Sequence, residues 1–211
     1  MLPTAISRVA SASRALSSAW LAERAGESLC GLRVFGVDAT PPAWLTDGRA
    51  DPVWKLAGEL GITIVPTVMA GSLPSLAGLL ERHPDVPIVV EHIGFVDLTG
   101  GTPFPLAQPL FDLARYPQLS LKVTTHGMAH AEAGGDAADL VDRLVHVFGA
   151  HRLAWGSDYP QALEFDYAQM LALARRATRR LAPADRDLFF GGTALNLWWP
   201  QDRTGAAGKS A

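Results

Sequence analysis

The feature that most narrows the fold is an alternation that begins at residue 31. Short runs rich in β-branched residues are separated by stretches of helical periodicity, the pattern of a parallel α/β sheet. The predicted strands cover residues 31–36, 62–68, 87–92, 119–124 and 152–156. Their starts recur roughly every 30 residues, and eight such units would make ~240 residues, close to the ~250 of a (β/α)8 barrel. Five units are present. The pattern leaves two architectures open: a doubly wound sheet, or a barrel seen from about its fourth strand to its eighth.

The intervening helices have readable ends. Asp51-Pro52 supplies an N-cap and an early proline, and Gly61 closes that helix. Ser72 opens the next, which stops before Pro84; three more are predicted over 105–116, 136–148 and 165–180, and a short one over 183–190. In the first 30 residues Arg8 and Arg14, among Ser7, Ser11, Ser13 and Ser17, precede any acidic residue and mimic a transit peptide. The stretch runs on through Trp20, Leu21 and Glu23 as one amphipathic helix over 4–25, and it lacks a secretory apolar core. It reads as a barrel helix of a cytoplasmic protein. Residues 1–200 form a single domain in this reading, and the Gly/Ala-rich 201–211 a disordered tail.

Composition excludes several classes. With 48% hydrophobic residues, 211 residues suffice for one well-buried domain. A charged fraction of 18% and a net charge of -3 argue against a nucleic-acid binder, which needs a basic face for phosphates. Arg175, Arg176, Arg179 and Arg180 read instead as the solvated face and last turn of a surface helix. The one cysteine, Cys30, excludes an internal disulfide and reads as a small buried hydrophobe. No apolar run reaches the ~18–20 residues of a membrane span.

The chemistry is expected at the carboxyl ends of the strands, where both architectures place their sites. The third strand presents His92 and then Gly94. The fifth ends on Asp158, with Ala154 and Gly156 on the same face leaving room beside the carboxylate. A histidine and an aspartate at strand ends make a proton-transfer pair able to activate water. Arg33 shares a face with Phe35: there it clamps a substrate carboxylate in a bidentate pair, or it is a structural arginine. Lys122 and Thr124 share a face of the fourth strand, followed by a loop carrying Thr125, His126, Gly127 and His130. His83, His146 and His151 precede strands and belong to the opposite, stability end.

The stretch Phe148-Gly-Ala-His-Arg-Leu-Ala-Trp-Gly-Ser-Asp-Tyr-Pro160 resembles the last-strand motif of the amidohydrolase-related family, particularly its lactonase-like branch. Also similar are Arg82-His-Pro-Asp85 leading to Glu91-His-Ile-Gly94, Leu119-Ser-Leu-Lys122, Gly191-Gly-Thr-Ala-Leu195, and Gly31-Leu-Arg-Val-Phe35 as a fourth strand. The resemblance covers roughly residues 25–200 and implies the C-terminal part of a (β/α)8 hydrolase barrel, N-terminally truncated. It implies that Asp158 ends the eighth strand as metal ligand, general base or both. It implies that His92 ends the sixth and polarises a carbonyl or transfers a proton.

Two departures follow. The family's first-strand His-x-His pair is absent, and the fifth-strand histidine of its metal-dependent members is replaced in Val65-Pro66-Thr67-Val68. Thr67 does not substitute for imidazole on zinc. The expectation is therefore no cofactor, with a divalent metal such as zinc only where a His-x-His segment is added. Some lactonase-like members work without metal, using histidines and an arginine on the carbonyl. The expected site is His92 and Asp158 as catalytic residues, with Arg33, Thr67, Lys122 and His126 binding a small, possibly carboxylated substrate. Neither nucleic acid nor membrane is an expected partner; self-association through exposed edge strands is. The reading is a lactone, ester or amide hydrolase. The alternatives are a non-catalytic remnant acting as interaction or complementation partner, or a metal-dependent decarboxylase or hydrolase once an N-terminal half is supplied.

Overall fold

The structure is a computed structural model and describes residues 17–25, 29–38 and 40–199. The Ser/Arg-rich N-terminal stretch, the predicted helix before residue 17 and the tail 201–211 lie outside the described residues. In chain order the elements are α1 (Ser18–Ala25), β1 (Gly31–Gly36), α2 (Ala43–Thr46), α3 (Asp51–Leu60), β2 (Thr63–Val68), α4 (Leu73–Arg82) and β3 (Ile88–Val90). Then come α5 (Gln108–Phe111), β4 (Leu119–Thr124), α6 (Thr125–Gly134), α7 (Ala137–Phe148), β5 (Leu153–Gly156), α8 (Tyr167–Ala177), α9 (Pro183–Asp187) and α10 (Thr193–Trp198).

The five strands form one parallel sheet in the order β1-β2-β3-β4-β5. Each connection carries helix across one face, so neighbours in sequence are neighbours in the sheet. The β2–β3 ladder is the thinnest, with Ile64 opposite Ile88 as its only register pair. Ile64 N–H donates to Pro87 O at 2.9 Å, and two residues on the next donor facing β3 would be residue 66. That residue is proline, which has no N–H to give.

Strand alternation sorts side chains onto two faces. Leu32, Val34, Ile64, Ile88, Val90, Leu119, Leu121, Val123 and Leu153 join Trp54, Leu76, Leu79, Leu140 and Leu144 of the helices in the main core. The other face is covered by α10. There Val65, Val89, Ala154 and Cys30 pack around Trp198, and the Thr63 hydroxyl donates to Leu197 O at 2.8 Å. The inner face thus has an apolar floor and, toward the carboxyl ends, a polar rim.

Helix ends follow local chemistry. Pro52 sits in the first turn of α3, where its missing N–H is harmless, and Gly61 closes the helix at φ 63. Ala50, not Asp51, holds the cap position. Asp136 caps α7 by accepting from Ala138 N–H at 2.9 Å, and Asp166 with Gln169 forms a capping box on α8. The predicted helix over 105–116 is broken into two tight 3₁₀ turns around α5. Pro109 explains this: its ring tolerates only the start of a helix, so one must begin at Gln108. The predicted loop after β4 is helix α6. Three of the four exposed arginines of α8 and the turn after it, Arg176, Arg179 and Arg180, are ion-paired rather than merely solvated. Arg176 meets Glu132 at 3.1 Å, Arg180 meets Asp139 at 2.5 Å and Asp142 at 3.0 Å, and Arg179 pairs with Asp136.

The sheet margins are partly covered. Thr63 N–H donates to Cys30 O at 3.3 Å, so the two-residue repeat turns the carbonyls of Arg33 and Phe35 away from β2. Phe35 O accepts from the Trp44 indole N–H at 3.0 Å. At the other margin the segment Leu188–Gly192 packs against β5. Among the described residues no helix is long and apolar enough to cross a membrane.

Leu121 lies on β4, fully buried and flanked by strands on both sides. Leu121→Ala is expected to cost about 2–5 kcal/mol, read as a lower urea midpoint with an unchanged slope.

Candidate active site

Strand β3 ends at Val90, two residues short of the predicted strand end. His92, Ile93, Gly94 and Phe95 then run at φ 52, 48, 69 and 49, four consecutive residues in left-handed backbone. Such conformations cost of order 1–3 kcal/mol per non-glycine residue and persist where the surroundings over-determine them. Ile93 is buried in the main core. A Cβ on Gly94 would come within 2.8 Å of a Leu73 methyl, which with the positive φ favours glycine there. Strand alternation alone would send residue 92 outward with Ile88 and Val90; the turn brings its ring to the inner side.

There His92 Nδ1 is 2.9 Å from the Thr124 hydroxyl, on the last residue of β4. The Phe95 ring stacks on the imidazole at 4.7 Å, and His126 meets Phe95 edge-on at 5.7 Å. The other nitrogen, Nε2, faces two carboxylates: Glu91 Oε1 at 3.9 Å and Asp158 Oδ1 at 4.0 Å. Asp158 follows β5 on the Ala154–Gly156 face, also at positive φ, 59. Its loop is pinned to α6 by the Thr125 hydroxyl, which donates to Ser157 O at 2.8 Å. Burial is the largest influence on His92 and holds its pKa below the ordinary imidazole value. Glu91 and Asp158 pull it up without prevailing, and Arg33 and Lys122 push it down.

The structure brings five of the six predicted side chains around this rim. Arg33 Nε donates to the Thr67 hydroxyl at 2.8 Å, and its guanidinium lies 4.6 Å from the Phe35 ring centroid. Among the described residues it has no carboxylate partner. Lys122 is bound at 2.8 Å by Glu91, whose side chain is 4% exposed. Gly156 leaves room for this: a Cβ there would meet Lys122 Cδ at 2.9 Å. The space foreseen beside Asp158 is thus occupied by the lysine stem. Glu91 is the residue that sequence reading missed as a site member. Its signal was available, because alternation puts it with Val89 on the inner face, one step beyond the Val90–Leu121 register pair and so opposite Lys122. The sixth, His126, stands one layer back, on α6. With Ala129, His130, Asp158, Gln161, Ala162, Glu164 and Phe165 it lines a cleft of about 330 Å³ beside the aspartate. A larger hollow of about 740 Å³, between α3 and residues 82–86, shares no residue with this site.

Comparison with known proteins agrees with the geometry. Residues 9–198 match the model of the family described as Amidohydrolase. An L-fucono-1,5-lactonase of Burkholderia ambifaria is 28% identical over 178 residues, 80% of this chain and 60% of its own length. A 4-sulfomuconolactone hydrolase of Hydrogenophaga intermedia is 28% identical over 152 residues, 71% of this chain and 50% of its own length. The chain therefore spans about half to three-fifths of these curated relatives. An amidohydrolase crystal structure from Burkholderia multivorans with bound zinc superposes with a TM-score of 0.70 at 24% identity, covering 87% of this chain and 70% of its own. Proteins of this fold include TIM barrels, so the five-stranded sheet corresponds to part of a barrel.

The zinc-bound structure overturns the expectation of no cofactor: a protein of the same fold holds a metal. The side chains described here do not complete such a site by themselves. Among the described residues no group of three or more His, Cys, Asp and Glu could hold a metal ion. His92 and Asp158 offer two donors, and Glu91 is taken by Lys122.

The left-handed turn yields a direct test. Gly94→Ala is expected to lower stability by about 1–3 kcal/mol through backbone strain and the clash with Leu73. An unchanged urea midpoint would show that residue 94 does not sit at positive φ.

Proposed function

Because the chain belongs to the amidohydrolase family, we propose that it is a hydrolase acting on a lactone, with the chemistry between His92 and Asp158. The observation that carries this reading is the 4.0 Å separation of His92 Nε2 and Asp158 Oδ1, held at one rim by two different strand ends. Two hydrogen bonds to one shared oxygen place their outer atoms about 4–5 Å apart, so this gap suits a water or a carbonyl oxygen engaged by both groups. Asp158, 26% exposed, takes the proton of the attacking water. His92 polarises the carbonyl. Water oxygen bonds to the carbonyl carbon, the ring C–O bond breaks, and the released alkoxide takes up a proton to give a hydroxy acid. Support comes from the two relatives named for lactone hydrolysis.

Arg33 belongs to the substrate side of this reading. One of its nitrogens is committed to Thr67, and the rest of its fork suits a carboxylate. Lys122 tethers Glu91 beneath the rim, and His126 lines the adjoining cleft. A second reading, that the chain acts as a partner for a complementing segment or a second copy, is favoured by β1. Its outer edge has no strand neighbour among the described residues, and Trp44 covers only one of its carbonyls.

Hydrolysis of 1,5-lactones and carboxylated muconolactone-type rings, assayed with and without added zinc and with and without a co-expressed N-terminal half-barrel, decides between these readings. Asp158→Asn and His92→Ala are each expected to lower kcat by at least ~10²-fold. Full activity in Asp158→Asn would remove it as the base. Arg33→Met should raise KM for carboxylated rings while leaving neutral ones nearly unchanged. Light scattering reads the edge: a concentration-dependent rise in mass is expected, and a strict monomer at all concentrations would set self-association aside.

A further inference from the structure

Thr124 and His92 are both buried, and the Thr124 hydroxyl has one partner among the described residues, His92 Nδ1 at 2.9 Å. Either atom could carry the shared proton, and the surroundings separate the two cases. With the proton on Nδ1, the hydroxyl accepts and its own hydrogen has no acceptor among the described residues. The bare lone pair of Nε2 would then face Glu91 Oε1 at 3.9 Å and Asp158 Oδ1 at 4.0 Å. With the hydroxyl donating to Nδ1, its hydrogen is satisfied and Nε2–H points toward the two carboxylates. The first arrangement leaves the hydroxyl hydrogen unanswered and sets a lone pair against two carboxylates. The second satisfies the hydroxyl and turns an N–H toward the carboxylates, which at 3.9 and 4.0 Å attract it without a direct hydrogen bond.

We propose that Thr124 is a positioning residue whose hydroxyl donates to Nδ1, fixing His92 as the Nε2–H tautomer aimed into the gap between Glu91 and Asp158. Phe95, stacked at 4.7 Å, holds the plane of the ring while Thr124 sets its proton. Burial holds the ring's pKa below the ordinary imidazole value despite the pull of both carboxylates, and in the neutral ring that one proton is the only donor. A neutral donor at Nε2 polarises a carbonyl while Asp158 remains free to accept from water. The opposite tautomer would present two bases and no donor. The kinetic consequence rests on the hydrolytic reading above; the tautomer does not.

The tautomer is read by nitrogen NMR of the full chain labelled at histidine, with the His92 signals assigned by their loss in His92→Gln. Expected near neutral pH are a protonated Nε2 and an unprotonated, hydrogen-bonded Nδ1. Thr124→Val should remove the hydrogen-bond shift at Nδ1, and Thr124→Ser should keep it. A protonated Nδ1 in the unsubstituted chain overturns the proposal, as does an Nδ1 signal unmoved in Thr124→Val. If Thr124→Val does not fold, the tautomer of the unsubstituted chain decides alone. In turnover, Thr124→Val is expected to lower kcat about 10- to 100-fold with KM little changed, the scale of a misplaced catalytic group. Thr124→Ser should recover most of the loss, and equal losses in the two variants would overturn a role for the hydroxyl. If the unsubstituted chain opens no lactone, it is the hydrolytic reading that falls, and the NMR measurement still decides the tautomer.

Discussion

Four successive residues of left-handed backbone cannot hold themselves, and the candidate site depends on what holds them. At about 1–3 kcal/mol for each of His92, Ile93 and Phe95, the turn carries strain comparable to a large part of a domain's net stability of ~5–15 kcal/mol. Burial of Ile93 offsets about 1.5–3 kcal/mol of this. The Phe95–His92 stack and the Thr124 contact contribute further, and the close approach of Gly94 to Leu73 disfavours a side chain there. The same contacts that stabilise the turn are the ones that aim the imidazole. Removing any of them loosens both fold and site.

Around that ring, two carboxylates stand in different surroundings. Glu91 is buried and bound to Lys122, which leaves it electrostatically answered. Among the described residues Asp158 has no lysine or arginine partner, and it is the more exposed of the two. Two carboxylates beside a histidine raise its pKa, yet burial outweighs both and holds it below the ordinary imidazole value. Arg33 and Lys122 add to that outcome. The inner face is layered by depth: Val65, Val89, Ala154 and Trp198 make the floor, and the titratable groups stand above it.

The sheet is continuous from β1 to β5, and the zinc-bound relative of the same fold is longer than this chain. His92, Asp158, the Thr67-bound guanidinium of Arg33 and a cleft meet at one rim of that sheet. The Trp44 contact and the segment Leu188–Gly192 cover the margins only in part, which is why the edges and the chemistry belong in one experimental design.

The sequence by itself determined the parallel sheet and much of its rim. All five strands lie where β-branched runs predicted them, with ends moved by at most two residues, because a buried strand needs no tertiary instruction beyond its apolar pattern. Two-residue alternation likewise grouped Asp158 with Ala154 and Gly156, and Arg33 with Phe35, whereas the place of Glu91 opposite Lys122 came only with the β3–β4 register. Helix α6 was not legible, since Thr125-His126-Gly127 reads locally as a loop and becomes helical only with its threonine tied to Ser157. Nor was the direction of His92. Alternation assigns it to the helix side of the sheet, and only the left-handed turn reverses it, a conformation that isolated residues avoid and that packing against Leu73, Phe95 and Thr124 enforces. The residue types of the site are local information. Which way they face at the end of a strand is decided by contacts from other strands and helices, because those contacts supply the energy to hold a backbone the sequence alone would not choose.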